Sequence, residues 1–321
     1  MAIFMSEVAF NITTYNLHSL FDGTAMIKNV GGNSLTIPSV NETFVGITLS
    51  IPEQTYSFSS AVLASFASGA QIGLLGDGVA VNSLGYVTAG AVTGIATSVA
   101  GKATLALFGT HIAAADLRAA EFSASNFDDR ALLMAALAGN DAMALSQGDD
   151  HFDAGGGNDF VVNQGGRDTL AGGTGADMVI GGTSVDKVDG GDGNDIIVGM
   201  AGNDRMAGGA GVDIIAGERG IDRLAGGAGA DYFVFSKGDG SDFITDFDTN
   251  GDKVLITGSV SFSDLSIRQD GSNLQIKFLD VTIGLYNTTK AEVTVTDFIF
   301  GGRAILGEHI AGFFEDWTIF G

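Results

Sequence analysis

The sequence contains no cysteine and only two prolines among its 321 residues. Without cysteine, neither disulfides nor thiolate-bound metals can stabilise the fold. With so little proline, the 49 glycines belong neither to collagen nor to a proline-rich linker. No run of about 20 strongly apolar residues occurs, so we expect no transmembrane segment. The first residues, MAIFMSEVAFNITTYNLHSLF, lack a basic region and a long apolar region, so we expect no cleaved secretory peptide.

Basic residues are also scarce. Lysine and arginine number 15 against 38 acidic residues, and the net charge is −23. This excess disfavours nucleic acid and anionic membranes as partners and favours cations. The hydrophobic fraction of 45% is sufficient for a buried core, and the length allows two or three domains.

The common catalytic motifs are missing as well. The sequence contains no H-E-x-x-H, no G-x-S-x-G and no phosphate-binding loop. Of the four histidines, only His18 and His111 lie outside the repeat array and the C-terminal tail, and we predict a structural or surface role for both. We therefore assign no catalytic residue and predict a non-enzymatic protein. The alternative is a hydrolase or carbohydrate-active enzyme with a site in residues 1–135.

A strict period of nine residues dominates the middle of the sequence. In each period an aspartate follows a glycine by two positions, except after Ser184, and precedes an apolar residue by two. Three coupled regularities over residues 136–234 define a repeat array. The aspartates are Asp141, Asp150, Asp159, Asp168, Asp177, Asp186, Asp195, Asp204, Asp213, Asp222 and Asp231.

Each unit has the composition of a metal-binding turn followed by a short strand. Glycines permit tight turns with exposed carbonyls, and the aspartate adds a hard anionic oxygen of the kind that Ca²⁺ prefers. The next three residues are extended, with the middle one pointing inward. Two units make one coil, so ions are expected between turns eighteen residues apart. We predict that all eleven aspartates are Ca²⁺ ligands and that several ions bind.

The units GGTGADMVI, GGDGNDIIV, GGAGVDIIA and GGAGADYFV resemble the nonapeptide G-G-x-G-x-D-x-U-x of the RTX (repeats-in-toxin, haemolysin-type) proteins. The following segment FVFSKGDGSDFITDFDTNGDKVLI is similar to the usual flank of such arrays. The resemblance implies a parallel β-roll that binds calcium, folding triggered by external Ca²⁺, and an extracellular location. It also implies the type I secretion machinery as a partner and an uncleaved C-terminal signal.

The turns of alternate units differ, and this difference defines two edges of the predicted roll. Turns on the consensus edge keep the motif best, whereas turns on the variant edge depart from it, with Ser184 replacing a glycine and Arg167 and Arg219 inside turns. We predict stronger Ca²⁺ binding on the consensus edge, the alternative being that both edges fill. The consensus edge carries Asp141, Asp159, Asp177, Asp195, Asp213 and Asp231; the variant edge carries Asp150, Asp168, Asp186, Asp204 and Asp222.

The outward strand positions differ in the same way. After consensus-edge turns they are apolar, as at Ile196 and Val198, so this apolar sheet must be covered by the chain itself or by a second copy or partner. After variant-edge turns they form a polar sheet with a basic ladder of Lys187, Arg205 and Arg223. That ladder is predicted either to pair with nearby aspartates or to bind an acidic cell-surface or matrix polysaccharide.

The whole chain is predicted to be mainly β. We divide it into a β-rich N-terminal domain of unknown role (1–135), the roll (136–234), a β-rich capping flank (235–299) and a type I secretion signal (300–321). HIAAADLRAAEF and RALLMAALAGN are predicted short helices before the roll. The uncharged small-residue stretch 54–101 is predicted as β structure, and a membrane-active role for it is the least favoured function.

Four aspartates of the flank fall outside the period of nine. They are predicted either to complete a last cation site or to bracket turns. They are Asp242, Asp246, Asp248 and Asp252.

Overall fold

In the computed structural model, the described residues comprise ten strands within residues 3–113 and residues 137–301 apart from Ser146. Side chains are described within 137–301, excluding Ala142, Ala144 and Ser146. The predicted secretion signal and most of the two predicted helices lie outside this part, but His111–Ala113 end a strand and Leu137–Asn140 form a turn rather than a helix.

The described N-terminal segments are all β-strands. Strands β2, β7, β8, β9, β10 and β1 pair antiparallel in that order, and β3–β6 and β4–β5 form separate pairs. Long strands across 54–101 confirm the prediction of small-residue β structure. The strands are β1 (Ile3–Met5), β2 (Ala25–Asn29), β3 (Asn33–Ile37), β4 (Val40–Phe44), β5 (Ile47–Ile51), β6 (Gln54–Phe58), β7 (Ser60–Phe66), β8 (Ala70–Val81), β9 (Val87–Val99) and β10 (Lys102–Ala113).

The repeat array forms the predicted parallel solenoid, of about six turns. Its strands alternate between two sheets, apart from β18 and β21, which pair with each other, and within the repeats strands pair eighteen residues apart, as in Ile196↔Ile214 and Lys187↔Arg205. The strands are β11 (Ala142–Ala144), β12 (His151–Asp153), β13 (Phe160–Val162), β14 (Thr169–Thr174), β15 (Met178–Ile180), β16 (Lys187–Asp192), β17 (Ile196–Val198), β18 (Ala201–Gly202), β19 (Arg205–Gly211), β20 (Ile214–Ala216), β21 (Arg219–Gly220), β22 (Arg223–Gly229) and β23 (Tyr232–Phe235).

The inward residue of each three-residue strand builds the core of the roll. Val179, Ile197 and Ile215 are fully buried between the two sheets. The turns that connect the sheets need backbone conformations favourable only to glycine: Gly191 and Gly193 have φ values of 109° and 141°.

The apolar sheet continues beyond the roll at both ends. At one end β1 pairs parallel with β11, so N-terminal strands extend it. At the other end β25 (Lys253–Ile256) and β29 (Phe298–Phe300) follow β23.

The polar sheet is extended by the flank. Strand β24 (Ser241–Ile244) follows β22, and β28 (Val281–Leu285), β27 (Asn273–Phe278) and β26 (Ser266–Asp270) complete the sheet. Two 3₁₀ helices, Phe262–Asp264 and Val295–Asp297, lie in the connections. The flank is therefore β-rich, as predicted.

The two outer faces differ as the sequence predicts. On the apolar sheet, Met178, Ile196 and Val198 are at most 3% exposed, although they point away from the core. They are buried within this single chain, so a second copy is not needed to cover them. The predicted cover from residues 1–135 falls on side chains outside the described part of the chain.

On the polar sheet, Lys187, Arg205 and Arg223 are exposed. Predicted pairing of this ladder with Asp153 and Asp189 is absent: the ion pair found among the described residues joins Lys253 to Asp297 at 3.6 Å. Within the described parts of the chain, no helix combines the length and the apolar character required to cross a membrane.

Candidate metal sites in the roll turns

The eleven predicted aspartates are the most deeply buried charged groups of the roll. Each has an exposed fraction of 3% or less. Burying a carboxylate is costly unless its charge is compensated. An arrangement repeated in every turn therefore requires a positive partner for the charge.

One oxygen of each carboxylate holds neighbouring coils together. The backbone N–H of Asp177 donates to Oδ1 of Asp195 at 2.8 Å, and the N–H of Asp195 donates to Oδ1 of Asp213 at 2.8 Å. The same bond runs along the variant edge, where the N–H of Asp186 donates to Oδ1 of Asp204 at 2.9 Å. The aspartates thus form two hydrogen-bonded ladders with a step of eighteen residues.

The second carboxylate oxygen is buried without a hydrogen-bond partner in most rungs of both ladders. Such orphaned acceptors are rare in folded proteins and indicate a missing ligand. The rungs are those of Asp159, Asp177, Asp186, Asp195, Asp204, Asp213, Asp222, Asp231 and Asp242.

The first glycine of a unit keeps the space in front of this oxygen open. A Cβ atom placed on Gly190 would stand 2.5 Å from Oδ2 of Asp195 and 2.5 Å from the carbonyl oxygen of Gly208 in the next coil. On the variant edge, a Cβ on Gly199 would meet Oδ2 of Asp204 at 2.6 Å and the carbonyl oxygen of Gly217 at 2.8 Å. Each opening is therefore lined by an anionic oxygen and a carbonyl oxygen from successive coils.

This donor set fits Ca²⁺. Calcium takes several hard oxygen ligands in flexible geometry, including backbone carbonyls. Among the described residues, no three His, Cys, Asp or Glu side chains cluster as a conventional metal site. Single carboxylates together with main-chain oxygens would therefore hold each ion, and the ion would interact with the carboxylate oxygen that has no hydrogen-bond partner.

The surroundings oppose ionisation of these carboxylates when no cation is present. Burial, aided by the charge of neighbouring aspartates, raises the pKa of Asp195 and Asp213 to about 7. Burial likewise raises the pKa of Asp186 to about 8 and that of Asp159 to about 9. A bound cation would reverse this preference because it stabilises the ionised form.

The variant edge differs from the consensus edge in its backbone rather than in its carboxylates. Ser184, Met200 and Glu218 have positive φ values of 125°, 74° and 59°, where the consensus edge uses glycine. Arg167 and Arg219 are both exposed, so neither guanidinium fills the opening of its turn. The orphaned oxygens occur on both edges, and the predicted difference in Ca²⁺ affinity stays a prediction.

Two flank aspartates outside the nine-residue period extend the ladders. The N–H of Asp222 donates to Oδ1 of Asp242 at 2.9 Å, and the N–H of Asp231 donates to Oδ1 of Asp252 at 3.0 Å. Oδ2 of Asp242 is orphaned, whereas Oδ2 of Asp252 accepts from the N–H of Asp248 at 2.8 Å. Asp242 therefore has the environment of a further metal ligand, which its position outside the period obscured.

Asp246 closes a turn instead. Its two carboxylate oxygens accept hydrogen bonds from the N–H groups of Gly226 and Gly227, each at 3.0 Å. Of the two sequence-based alternatives for the flank, a cation ligand thus suits Asp242 and a turn-bracketing role suits Asp246 and Asp248.

The family comparison agrees with this chemistry. The model of the RTX calcium-binding nonapeptide repeat matches four times, over residues 135–170, 162–197, 171–206 and 207–244. No match was found among curated proteins.

Solved structures similar to the chain are RTX-type proteins. The AlgE6R2 subunit of the Azotobacter vinelandii mannuronan C5-epimerase is 24% identical, covers 39% of this chain and 91% of its own, and has a TM-score of 0.31. The AlgE6R3 subunit of that epimerase is 26% identical, covers 40% of this chain and 81% of its own, and has a TM-score of 0.23. The extracellular lipase LipA of Serratia marcescens is 17% identical, covers 50% of this chain and 38% of its own, and has a TM-score of 0.23.

Fold and turn chemistry together define a calcium-binding parallel β-roll. Its repeats are RTX calcium-binding nonapeptide repeats, and they bind Ca²⁺ in several turns.

Proposed function

We propose that this chain is a secreted calcium-binding RTX protein that folds when extracellular Ca²⁺ fills the turns of its roll. It acts without catalysis at the cell surface or in the matrix, in adhesion, biofilm or coat formation. The observation that carries the proposal is the double ladder of buried aspartates with orphaned oxygens facing main-chain carbonyls.

The ladder provides the switch. When Ca²⁺ is scarce, the stacked carboxylates cannot all be buried as ions, and the chain stays unfolded and competent for export. Extracellular calcium modules have dissociation constants on the order of 10⁻⁴ to 10⁻³ M, which matches a switch operated outside the cell. The absence of cysteine suits a protein stabilised there by metal rather than by disulfides.

A calcium titration tests the switch. Adding millimolar Ca²⁺ to the metal-free full chain at pH 7.5 should give a large gain of β signal in circular dichroism. Mg²⁺ should not, because it requires a smaller octahedral site and dehydrates reluctantly. A far-ultraviolet spectrum unchanged by Ca²⁺ would refute the proposal.

Export is tested separately. Cells that carry a type I apparatus should no longer release the chain into the medium when residues 300–321 are removed. Removal of one eighteen-residue coil of the roll should not prevent release. Release of the shortened chain at the normal level would refute the assignment of the secretion signal.

The basic ladder supports an acidic polysaccharide as the surface partner. Lys187, Arg205 and Arg223 are exposed on adjacent, in-register strands, so their charges repeat at the strand spacing of about 4.8 Å. Replacing all three with serine should remove binding of the folded, Ca²⁺-loaded chain to a uronate polymer at low salt. Binding that is equal for the variant, or equal for a neutral polymer, would exclude this role.

A further inference from the structure

One turn of the variant edge already contains a donor in the place where the other turns are open. Asn163 occupies the first position of the unit that ends in Asp168, where later units have glycine. Its side chain is buried, with an exposed fraction of 4%. The amide Nδ2 donates one hydrogen bond to Oδ2 of Asp168 and another to the carbonyl oxygen of Gly181 at 2.8 Å.

These two acceptors are equivalent to the oxygens that line the open turns. Gly181 lies eighteen residues after Asn163, as Gly208 lies eighteen residues after Gly190. In the open turn, Oδ2 of Asp195 is orphaned. In the turn of Asn163, the same oxygen is hydrogen-bonded. An amide NH₂ group has two donors, one for each acceptor. Both acceptors are thus satisfied, although Oδ1 of the Asn163 amide is itself buried without a partner.

We propose that the Asn163 amide takes the place of a cation, so that the turn 163–168 closes without calcium. This inference deepens the proposed calcium function, on which it rests. The rung of Asn163 and Asp168 then holds two coils together in metal-free protein and offers the next coils a template on which to stack. Ca²⁺ binding on this edge begins at the following rung, that of Asp186.

The first positions along the array agree with this division. In the described part of the chain, the early units have Leu145, Ala154 and Asn163 there, all buried. From residue 172 onward every unit to the end of the array has glycine. Leu145 and Ala154 belong to the hydrophobic core, and Oδ2 of Asp159 in the unit of Ala154 is still orphaned, so of these three side chains the Asn163 amide is the one that donates to a carboxylate.

A reciprocal pair of substitutions tests the proposal in the full chain. Asn163→Gly should open the turn, so the chain should bind one more Ca²⁺ by isothermal titration calorimetry and unfold at a lower temperature in EGTA at pH 4.5, where the metal-free roll is expected to fold. Gly190→Asn should transplant the amide next to Asp195 and remove one Ca²⁺. Its backbone lies outside the left-handed region, but an asparagine Cβ would stand 2.5 Å from Oδ2 of Asp195 and from the carbonyl oxygen of Gly208, so these oxygens must move to admit it.

The outcomes separate this inference from the proposed function. An ion count that stays the same or falls in Asn163→Gly would overturn it, and a fall would make Asn163 a Ca²⁺ ligand instead. If Asn163→Gly does not fold, an unchanged count in folded Gly190→Asn overturns it equally. A wild-type chain that binds no Ca²⁺ would refute the calcium function itself, whereas the unfolding temperature in EGTA at pH 4.5 still tests the rung.

Discussion

At the scale of the residue, the two oxygens of one aspartate have different tasks. Oδ1 of Asp195 accepts from the main chain of Asp177, and Oδ2 faces an opening lined by carbonyl oxygen. The first contact is independent of metal and the second depends on it. A substitution that preserves shape but removes charge can therefore separate the two tasks.

Asp195→Asn should have opposite effects with and without calcium. At pH 8 in EGTA the variant should keep more β signal in circular dichroism than wild type, because burial, which raises the pKa of Asp195 to about 7, opposes the ionised carboxylate. In Ca²⁺ it should unfold at a lower temperature and bind one ion fewer. Asp270→Asn, at an exposed position on the edge strand of the polar sheet, is the control and should change neither value. Equal behaviour of the two variants in Ca²⁺ would contradict a ligand role for Asp195.

Ser184 is a second residue whose effect on stability can be measured. Its φ of 125° lies in a region that is essentially restricted to glycine, and holding another residue there costs about 1–3 kcal/mol. Ser184→Gly should therefore raise the free energy of unfolding in Ca²⁺ by about 1 kcal/mol or more. Ser259→Gly, at an exposed serine without positive φ, should be neutral or slightly destabilising. Denaturant unfolding measures both, and a loss of stability in Ser184→Gly would show that the backbone is not strained.

At the scale of the element, a three-residue strand of the apolar sheet is buried on both faces. Ile197 points into the roll and Ile196 points away from it, yet they are only 0% and 3% exposed. In a sheet with one solvated face, outward substitutions would have little effect. Here both positions belong to packed cores.

Truncation of the outward isoleucine should therefore be nearly as damaging as truncation of the inward one. Ile196→Ala and Ile197→Ala should each destabilise the Ca²⁺-loaded chain by about 2–5 kcal/mol. Lys187→Ala, at the outward position of the polar sheet, should change stability by less than about 0.5 kcal/mol. An effect of Ile196→Ala as small as that of Lys187→Ala would mean that the apolar sheet faces solvent.

The strands of the roll could be predicted residue by residue because their environment repeats. Identical turns and an in-register step of eighteen residues give Ile197 and Ile215 the same neighbours, so the period alone determines which side chains point inward. Beyond Asp231 this logic fails. Asp242 stands twenty residues after Asp222 and still accepts its N–H, because extra residues are absorbed in an irregular connection.

The nine-residue period alone also predicts that all eleven aspartates are equivalent, whereas their surroundings in the structure differ. Asp168 differs from its neighbours because of a side chain five residues earlier. That position was not part of the three coupled regularities that defined the array, although the nonapeptide motif has glycine there. The non-glycine residue at Asn163 was the available signal. Its meaning depends on which atoms converge in three dimensions.

At the scale of the whole molecule, the two ladders make stability depend on pH in opposite directions with and without calcium. Burial raises the pKa of Asp195, Asp204 and Asp213 from 3.8 to about 7. A group whose pKa is raised in the folded state contributes its full stabilisation at pH values below its unfolded-state pKa. That contribution is lost as the pH rises through the folded-state pKa. The metal-free roll should therefore be most stable in acid.

Circular dichroism in EGTA should show more β structure at pH 4.5 than at pH 8. In millimolar Ca²⁺ the β signal should instead be maintained or increase toward pH 8, because protons and Ca²⁺ compete for the same oxygens. A metal-free chain with greater β content at pH 8 than at pH 4.5 would show that the carboxylates are not the groups that destabilise the roll.

The eighteen-residue step also acts as a ruler for changes in length. Within the repeats, the strand pairs and the carboxylate bonds between coils join positions eighteen residues apart, so the roll is nearly one-dimensional and each coil depends mainly on its neighbours. Loss of residues 190–207 should leave a shorter roll that still folds in Ca²⁺. Loss of residues 190–198 alone would move every later strand to the opposite sheet. Lysine and arginine would then lie on the covered face and isoleucine would face water. Soluble expression of the two shortened chains would distinguish these outcomes. Through the architecture of its coils, the protein can lengthen or shorten only by pairs of repeats.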